Sequence, residues 1–185
     1  MDQLERWVRA AGEGDAVLVA RLLGEGVEVD APGADRCTAL ERAVREGHAA
    51  VVRLLLEAGA VADQPTGEYQ ETTPLCVAAA RGHTAVVEAL LDAGVHPEDR
   101  SRLGHLPLVL AATAHAGGHP LTVDLLLRRG ADIDAEMKGR TALDWAAGFG
   151  YGEMVRHLLE RGAAPRPSAP SSARRDQAVR PPGPG

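Results

Sequence analysis

The sequence predicts an all-α protein in which similar helix–turn–helix units stack in a row. A Leu-Leu pair followed three residues later by Gly occurs five times in the 185 residues, and its glycines lie 33, 35, 36 and 32 residues apart. Such a period is the signature of a repeat architecture. Aromatic residues make up only 3% of the chain, so the core must consist of Ala, Val and Leu, which favours closely packed helices.

The first helix of each unit begins at a recurring triplet. Thr38-Ala39-Leu40, Thr73-Pro74-Leu75, Leu106-Pro107-Leu108 and Thr141-Ala142-Leu143 follow one another at spacings of 35, 33 and 35 residues. A Thr before a helix can accept a hydrogen bond from an unpaired backbone N–H. A Pro at the first helical position loses no hydrogen bond. These triplets therefore predict capped helix starts.

The turn to the second helix is marked by Gly-His, at Gly47-His48, Gly82-His83 and Gly118-His119. Gly can supply the left-handed conformation that ends a helix. Val51, Val52, Leu55 and Leu56 then follow at helical spacing, which predicts the buried stripe of a second helix. Gly59 is predicted to end that helix.

Two units depart from this pattern. In the first, Trp7 takes the position of the triplet Leu, which indicates an N-terminal cap. The fourth has three extra residues between Leu108 and His119 compared with Leu75 and His83. We expect the extra residues, in 115–118, to enlarge the turn between its helices.

These motifs together resemble the ankyrin repeat family. Thr73 to Gly94 is the best match, with Cys76 at the family's His position, and Thr141 to Gly162 is the next clearest. The resemblance implies an α-solenoid of stacked helix pairs whose loops project as β-hairpin-like fingers. It also implies partner binding at the hairpin tips and the concave face of the first helices.

The chain divides into a repeat domain and a tail. We expect an ankyrin repeat domain over residues 1–164, with units at about 1–32, 33–65, 66–99, 100–135 and 136–164. Residues 165–185 are rich in Pro, Arg and Ser and are expected to be disordered. The tail contains four Arg and one Asp, so it carries +3 and leaves −9 for the array. Its PxxP stretch could dock elsewhere as a polyproline II helix.

No catalytic or cofactor motif is present in the sequence. It contains no phosphate-binding glycine loop and no GxSxG elbow, and its carboxylates form no distinguishable pair. We therefore expect neither an enzyme nor a cofactor or metal ion. The alternative is a metal-binding or enzymatic module that uses the region of His105, His115 and His119, because His115 and His119 are four residues apart.

Other chemistry-bearing side chains have structural interpretations. We expect His48, His83 and His119 to hydrogen-bond neighbouring loop backbone. Cys76 is expected to act as a small buried hydrophobe, although a helix N-terminus could lower the pKa of its thiol. Trp145 is expected to pack between units.

Protein recognition remains the favoured function. The family pattern assigns hairpin tips and exposed ends of the first helices in units three to five to partner binding. Their mixture of aromatic, Met, Leu and Arg side chains is typical of interface anchors, whereas the corresponding set in unit two is more polar. The predicted partner-binding residues are Tyr69, Gln70, Thr72, Arg81, Arg102, Leu103, His105, Thr113, Met137, Lys138, Arg140 and Phe149, centred on Tyr69, Leu103, Met137 and Phe149.

Charge and composition set the expected partners and location. The net charge of −6 argues against nucleic acid and favours a protein with some positive surface. No signal peptide or membrane span is recognisable, and the two cysteines show no disulfide or zinc spacing, so we expect a cytoplasmic monomer. One Lys against 19 Arg indicates a high-GC coding sequence, and with it a bacterial source.

Overall fold

The computed structural model describes residues 3–65 and 71–165. Within these ranges the chain forms ten α-helices in five consecutive pairs, with no strand, so the all-α prediction is confirmed. No helix in the described part is long and apolar enough to cross a membrane. The helices are α1 (Gln3–Glu13), α2 (Ala16–Gly24), α3 (Ala39–Glu46), α4 (Ala49–Glu57), α5 (Pro74–Arg81), α6 (Thr84–Asp92), α7 (Pro107–Thr113), α8 (Pro120–Arg128), α9 (Ala142–Gly148) and α10 (Gly152–Glu160).

The helices stack in two layers. The first helices of the units, α1, α3, α5, α7 and α9, each pack against the next and form the first-helix layer. Helices α2, α4, α6 and α8 pack in the same order and form the second-helix layer, while α10 packs on α9. The core between the layers consists almost wholly of Ala, Val and Leu, as the low aromatic content predicts.

The predicted helix starts are confirmed. The hydroxyl of Thr38 accepts from the N–H of Glu41 at 3.1 Å, and that of Thr73 accepts from the N–H of Cys76 at 3.3 Å. Thr141 and Asp144 form a full capping box, in which each side chain accepts from the other residue's N–H. Each cap satisfies backbone donors that the helix leaves unpaired.

Three histidines connect neighbouring units through hydrogen bonds to backbone, as predicted, but their partners lie in helices and not in loops. Nε2 of His48 lies 2.9 Å from the carbonyl oxygen of Gly12, Nε2 of His83 lies 3.1 Å from that of Arg45, and Nε2 of His119 lies 3.3 Å from that of Ala80. Each bond joins the turn of one unit to the first helix of the preceding unit. We call the three bonds the histidine ladder.

Two structural constraints favour glycine at the residue before the turn, as Gly47 shows. Gly47 ends α3 with φ of +83°, where a side chain is strained. A methyl group there would also lie 2.7 Å from Nδ1 of His83, the ring that comes from the next unit. The Gly-His motif therefore serves both the turn within a unit and the contact between units.

The predicted enlargement of unit four is confirmed. His115–Gly117 forms a short 3-10 helix between α7 and α8. The backbone N–H of His119 then donates to the carbonyl of Ala111 at 2.8 Å, which returns the chain to the usual path. The insertion leaves the position of His119 in the histidine ladder unchanged.

Trp7 lies in the buried core of the first unit. Its side chain is fully buried in the position that Leu takes in other units. Within the described residues its Nε1 has no hydrogen-bond partner. Trp7 is thus a large apolar residue that fills this part of the core, and its role as an N-terminal cap stays a prediction.

A carboxylate holds the last unit to the stack. Asp124 on α8 accepts from Nε2 of His157 and from the guanidinium of Arg161, both at 2.8 Å. Burial raises the pKa of Asp124, but the bonds from Arg161 and His157 outweigh burial and hold that pKa below its usual value. The ionised carboxylate therefore stabilises the contact of α8 with α10.

We expect Gly47→Ala to lower the free energy of unfolding more than Gly130→Ala does. Both glycines have positive φ, +83° and +96°, at which a Cβ costs about 1–2 kcal/mol. A methyl group at Gly47 also meets the His83 ring, whereas one at Gly130 meets nothing within 4 Å. Urea denaturation followed by circular dichroism measures both losses, and equal losses would contradict the inter-unit contact.

We expect Asp124→Asn to remove part of the acid sensitivity of the fold. Because the pKa of Asp124 is lower in the folded state, its contribution to stability is present above the unfolded-state pKa of about 4 and is lost as pH falls through the folded-state value. The stability difference between wild type and variant should therefore shrink as pH falls below about 5. Urea denaturation at each pH measures this difference.

The matched control for this prediction is Asp63→Asn. Asp63 is exposed, and its carboxylate makes no ion pair within the described residues. This control should leave the pH dependence as in wild type. A stability difference for Asp124→Asn that stays constant as pH falls below about 5 would contradict the assigned bonds of Asp124 with His157 and Arg161.

Candidate protein-binding surface

The structure places most of the predicted partner-binding residues at the surface. Tyr69 and Gln70 lie outside the described residues. Thr72, His105 and Thr113 are half-buried, and Met137 is buried. The exposed members are Arg81, Arg102, Leu103, Lys138, Arg140 and Phe149.

The prediction that Met137 anchors a partner is wrong. Lys138 and Gly139 have φ of +53° and +75°, the pattern of a two-residue type I′ turn. Met137 and Arg140 pair across it through backbone hydrogen bonds of 2.9 and 3.2 Å. This turn directs the Met137 side chain into the core, where it is only 8% exposed. Met137 and Arg140 form an isolated β-bridge, so the expected β-hairpin-like finger is a short turn at this place.

Unit five carries a cluster of rings that sequence reasoning recognised only in part. The ring centroid of Trp145 lies 6.0 Å from that of Phe149, which lies 5.7 Å from that of Tyr151. We call these three side chains the aromatic strip. Phe149 was predicted as a binding residue, whereas Tyr151 was not. The sequence does contain a signal for this cluster, since three of the five aromatic residues of the chain fall within positions 145–151.

Trp145 joins this strip to the neighbouring turn. Its Nε1 donates to the carbonyl oxygen of Met137 at 3.1 Å. The guanidinium carbon of Arg140 lies 5.1 Å from the centroid of its ring, within the range of a cation–π interaction. Trp145 is half-buried against the core. It therefore supports both the turn and the exposed cation, besides the predicted packing role.

Four exposed cations of the predicted binding set have no ion pair. Arg81, Arg102, Lys138 and Arg140 form no salt bridge within the described residues, although other arginines of the array do, such as Arg42 in unit two, Arg129 in unit four and Arg161 in unit five. An unpaired surface cation has no bond to give up when a partner's carboxylate approaches. These four side chains are therefore available for recognition.

At the N-terminal end of the first-helix layer, the exposed helix ends are acidic rather than basic. The residues that end α1 and α3 are Glu13 and Glu46, and at the corresponding places unit three has Arg81 and unit five has Phe149. A groove of about 420 Å³ between α1 and α3 is lined by Val8, Gly12 and Gly33 among charged side chains, four of them acidic. The exposed ends of the first helices thus change from acidic to basic and aromatic along the stack.

The half-buried predicted residues have structural partners. The Thr113 hydroxyl donates to the carbonyl of Val109 at 2.7 Å. The N–H of His105 donates to the hydroxyl of Ser101 at 3.1 Å, and its carbonyl oxygen lies 3.6 Å from Sγ of Cys76. Thr113 and His105 therefore hold local structure in addition to any contact they make with a partner.

Neither thiol has the environment of a nucleophile. Burial raises the pKa of Cys76, which is fully buried at the start of α5, and burial also raises the pKa of Cys37. A raised pKa leaves less of the reactive thiolate at neutral pH. The pKa of Cys76 is thus raised rather than lowered, because desolvation outweighs the hydrogen bonds from Thr73 and Ser101.

The histidines of unit four do not meet as ligands in the described structure. His119 directs Nε2 at the carbonyl of Ala80, His115 is exposed in the 3-10 helix, and His105 lies in the preceding loop. Among residues 3–65 and 71–165, no group of three or more His, Cys, Asp and Glu side chains could hold a metal ion. This geometry gives the metal-binding alternative no support.

Known proteins resemble the chain in this same architecture. It is 38% identical over 130 residues, or 69% of its length, to the ankyrin repeat and KH domain-containing protein mask-1 of Caenorhabditis elegans. It is 40% identical over 155 residues, or 82% of its length, to an ankyrin repeat and KH domain-containing protein of Caenorhabditis briggsae. Each alignment covers 5% of the relative, so the chain spans a small part of these proteins.

The expectation of a bacterial source is contradicted by these relatives, which are animal proteins. Its only basis was the excess of Arg over Lys. That excess reflects the base composition of a coding sequence, which is not specific to one lineage.

The family profile for ankyrin repeats matches residues 7–101 and 95–168. These ranges include all the helix pairs, the capped helix starts and the histidine ladder described above. The chain belongs to the ankyrin repeat family.

Proposed function

We propose that the array of residues 1–164 is a non-enzymatic scaffold that binds a partner protein over units three to five. Ankyrin repeats are in general protein–protein interaction modules. The proposed contacts are the turn tips and the exposed ends of the first helices. The tail of residues 165–185 is proposed to be a separate segment, and its residues 166–185 lie outside the described structure.

The observation that carries this proposal is the exposure of two large apolar side chains beside the unpaired cations. Leu103 at a turn tip is 53% exposed, and Phe149 at the end of α9 is 55% exposed. Neither position contributes to the buried core that holds the units together. Burying a large apolar side chain yields about 1.5–3 kcal/mol, so Leu103 and Phe149 are suited to be anchors.

The chemistry of the surface agrees with this role. Arg and aromatic side chains dominate the binding energy of protein interfaces, and here Arg140 lies over Trp145 next to Phe149. We propose a monomeric module in a reducing, cytoplasmic compartment, which fits two cysteines that are both free. The partner is proposed to be a protein rather than a nucleic acid.

We expect the double variant Leu103→Ala/Phe149→Ala to lose the partner while it keeps its fold. Full-length chain immobilised on a resin is incubated with lysate of the native host, and bound proteins are identified by mass spectrometry. A protein enriched on wild type should fall about tenfold or more on the double variant, since two anchors are removed. Thermal unfolding should stay within a few degrees of wild type, because both side chains are exposed.

The matched control is Leu121→Ala/Leu159→Ala. These two side chains are also exposed, at 73% and 44%, but they lie on α8 and α10. The control should capture the partner as wild type does. Equal capture by wild type and the Leu103/Phe149 variant, or loss in the control alone, would refute the proposed surface.

A further inference from the structure

The surroundings of the aromatic strip give information about the chemistry of the partner. The strip is an exposed apolar surface next to charged side chains. A partner must therefore offer an apolar group to the strip and a complementary charge to those side chains. Charged side chains near it belong to the turn before α9, to α9 itself and to the loop that contacts this turn. This inference rests on the proposed function and specifies what kind of protein segment the surface fits.

We propose that unit five binds an acidic segment of the partner, with an aromatic or aliphatic side chain of that segment on Phe149 and a carboxylate paired with Arg140. The apolar part of this contact is the exposed edge of the aromatic strip. The polar part is the guanidinium of Arg140 with Lys138 beside it in the same turn.

Arg140 is held in a position suited to bind a carboxylate. Its guanidinium lies over the Trp145 ring, 5.1 Å from the centroid, and the backbone pairing of Met137 with Arg140 fixes the turn that carries it. A guanidinium that packs its face on a ring still has N–H groups at its edge for a bidentate bond. Because the side chain is already ordered, less conformational entropy is lost on binding.

The local charge favours an acidic ligand over a basic one. Lys138 and Arg140 belong to the turn itself, and Arg100 approaches it by donating from Nη1 to the carbonyl oxygen of Glu136 at 3.0 Å. The acidic side chains there are those of Glu136 and Asp144. The Asp144 carboxylate accepts from the N–H of Thr141 at 3.0 Å. The turn and its neighbours therefore present three cations (Lys138, Arg140 and Arg100) against two carboxylates.

The net charge of the array does not reverse this preference. The −9 of the array is spread over many units, and charges farther apart than about 8–10 Å are screened at physiological salt. The acidic groove between α1 and α3 lies at the other end of the stack. The expectation of a positively charged partner follows from the net charge of the whole array. The surface of unit five itself favours a negatively charged partner.

A basic occupant would meet two obstacles on this surface. One face of Trp145 is already covered by the chain's own Arg140, so a cation–π contact with a partner's Arg or Lys has a competitor. Lys138 and Arg140 would also repel a partner's cation. The tail of this chain carries +3 and is disfavoured as an occupant for the same reason.

Selection from a random peptide library tests the proposal without a known partner. Phage-displayed 12-residue peptides are selected on the immobilised full-length protein. We expect enriched peptides to carry net negative charge together with at least one aromatic or large aliphatic residue. Their affinity should fall about tenfold or more for Arg140→Glu and for Phe149→Ala, as for interface anchors, and it should weaken with added salt.

The control is Arg128→Glu, which reverses an exposed arginine on α8 that has no salt bridge within the described part of the chain. This variant should bind the peptides as wild type does. Enriched peptides with neutral or positive charge, a Pro- and Arg-rich consensus like that of the tail, equal binding to Arg140→Glu, or no enrichment would each overturn the proposal. The lysate experiment tests only whether Leu103 and Phe149 are needed for capture, whatever the charge of the partner. It can therefore succeed when the peptide selection fails.

Discussion

The fold depends on one constraint, which is that no helix pair can bury its apolar face alone. The helices have only 7–11 residues, a length at which an isolated helix is marginal in water. Val51 and Leu55 of α4 are fully buried in the stack, where α4 packs on α2 and α6 of the neighbouring units as well as on α3. The histidine ladder adds a polar bond at the same junctions and fixes how each turn sits on the helix before it. Stability is therefore a property of the stack rather than of a unit.

This constraint also decides which residues are free to serve recognition. The stack uses the capping threonines, the Gly-His turns and the apolar stripes, and it places little demand on the turn tips or on the exposed residue that ends each first helix. At that last position the chain has Glu46, Arg81 and Phe149 in three different units. Such variation at fixed spacing gives one scaffold an acidic end and a basic, aromatic end.

Local motifs predicted the fold well because each has a direct physical consequence. The Thr caps, the Gly-His turns and the enlarged turn in unit four all follow from residues close in sequence. Met137 was placed wrongly because a loop position alone does not tell which side of a two-residue turn faces the core. The cluster of Arg140, Trp145 and Tyr151 was missed because it joins a turn, a helix and the next turn. Contacts of that kind depend on the folded path rather than on spacing.

The central claim is that the stack is a fixed support and that recognition takes place over units three to five. Amide hydrogen exchange of the full-length chain, measured alone and with the protein recovered on the immobilised chain, tests it most directly. We expect slower exchange on binding in residues 71–73, 80–82, 100–106, 137–140 and 148–151, and unchanged exchange in the second-helix layer. Protection confined to α1 and α3, or to the second-helix layer, would contradict the account.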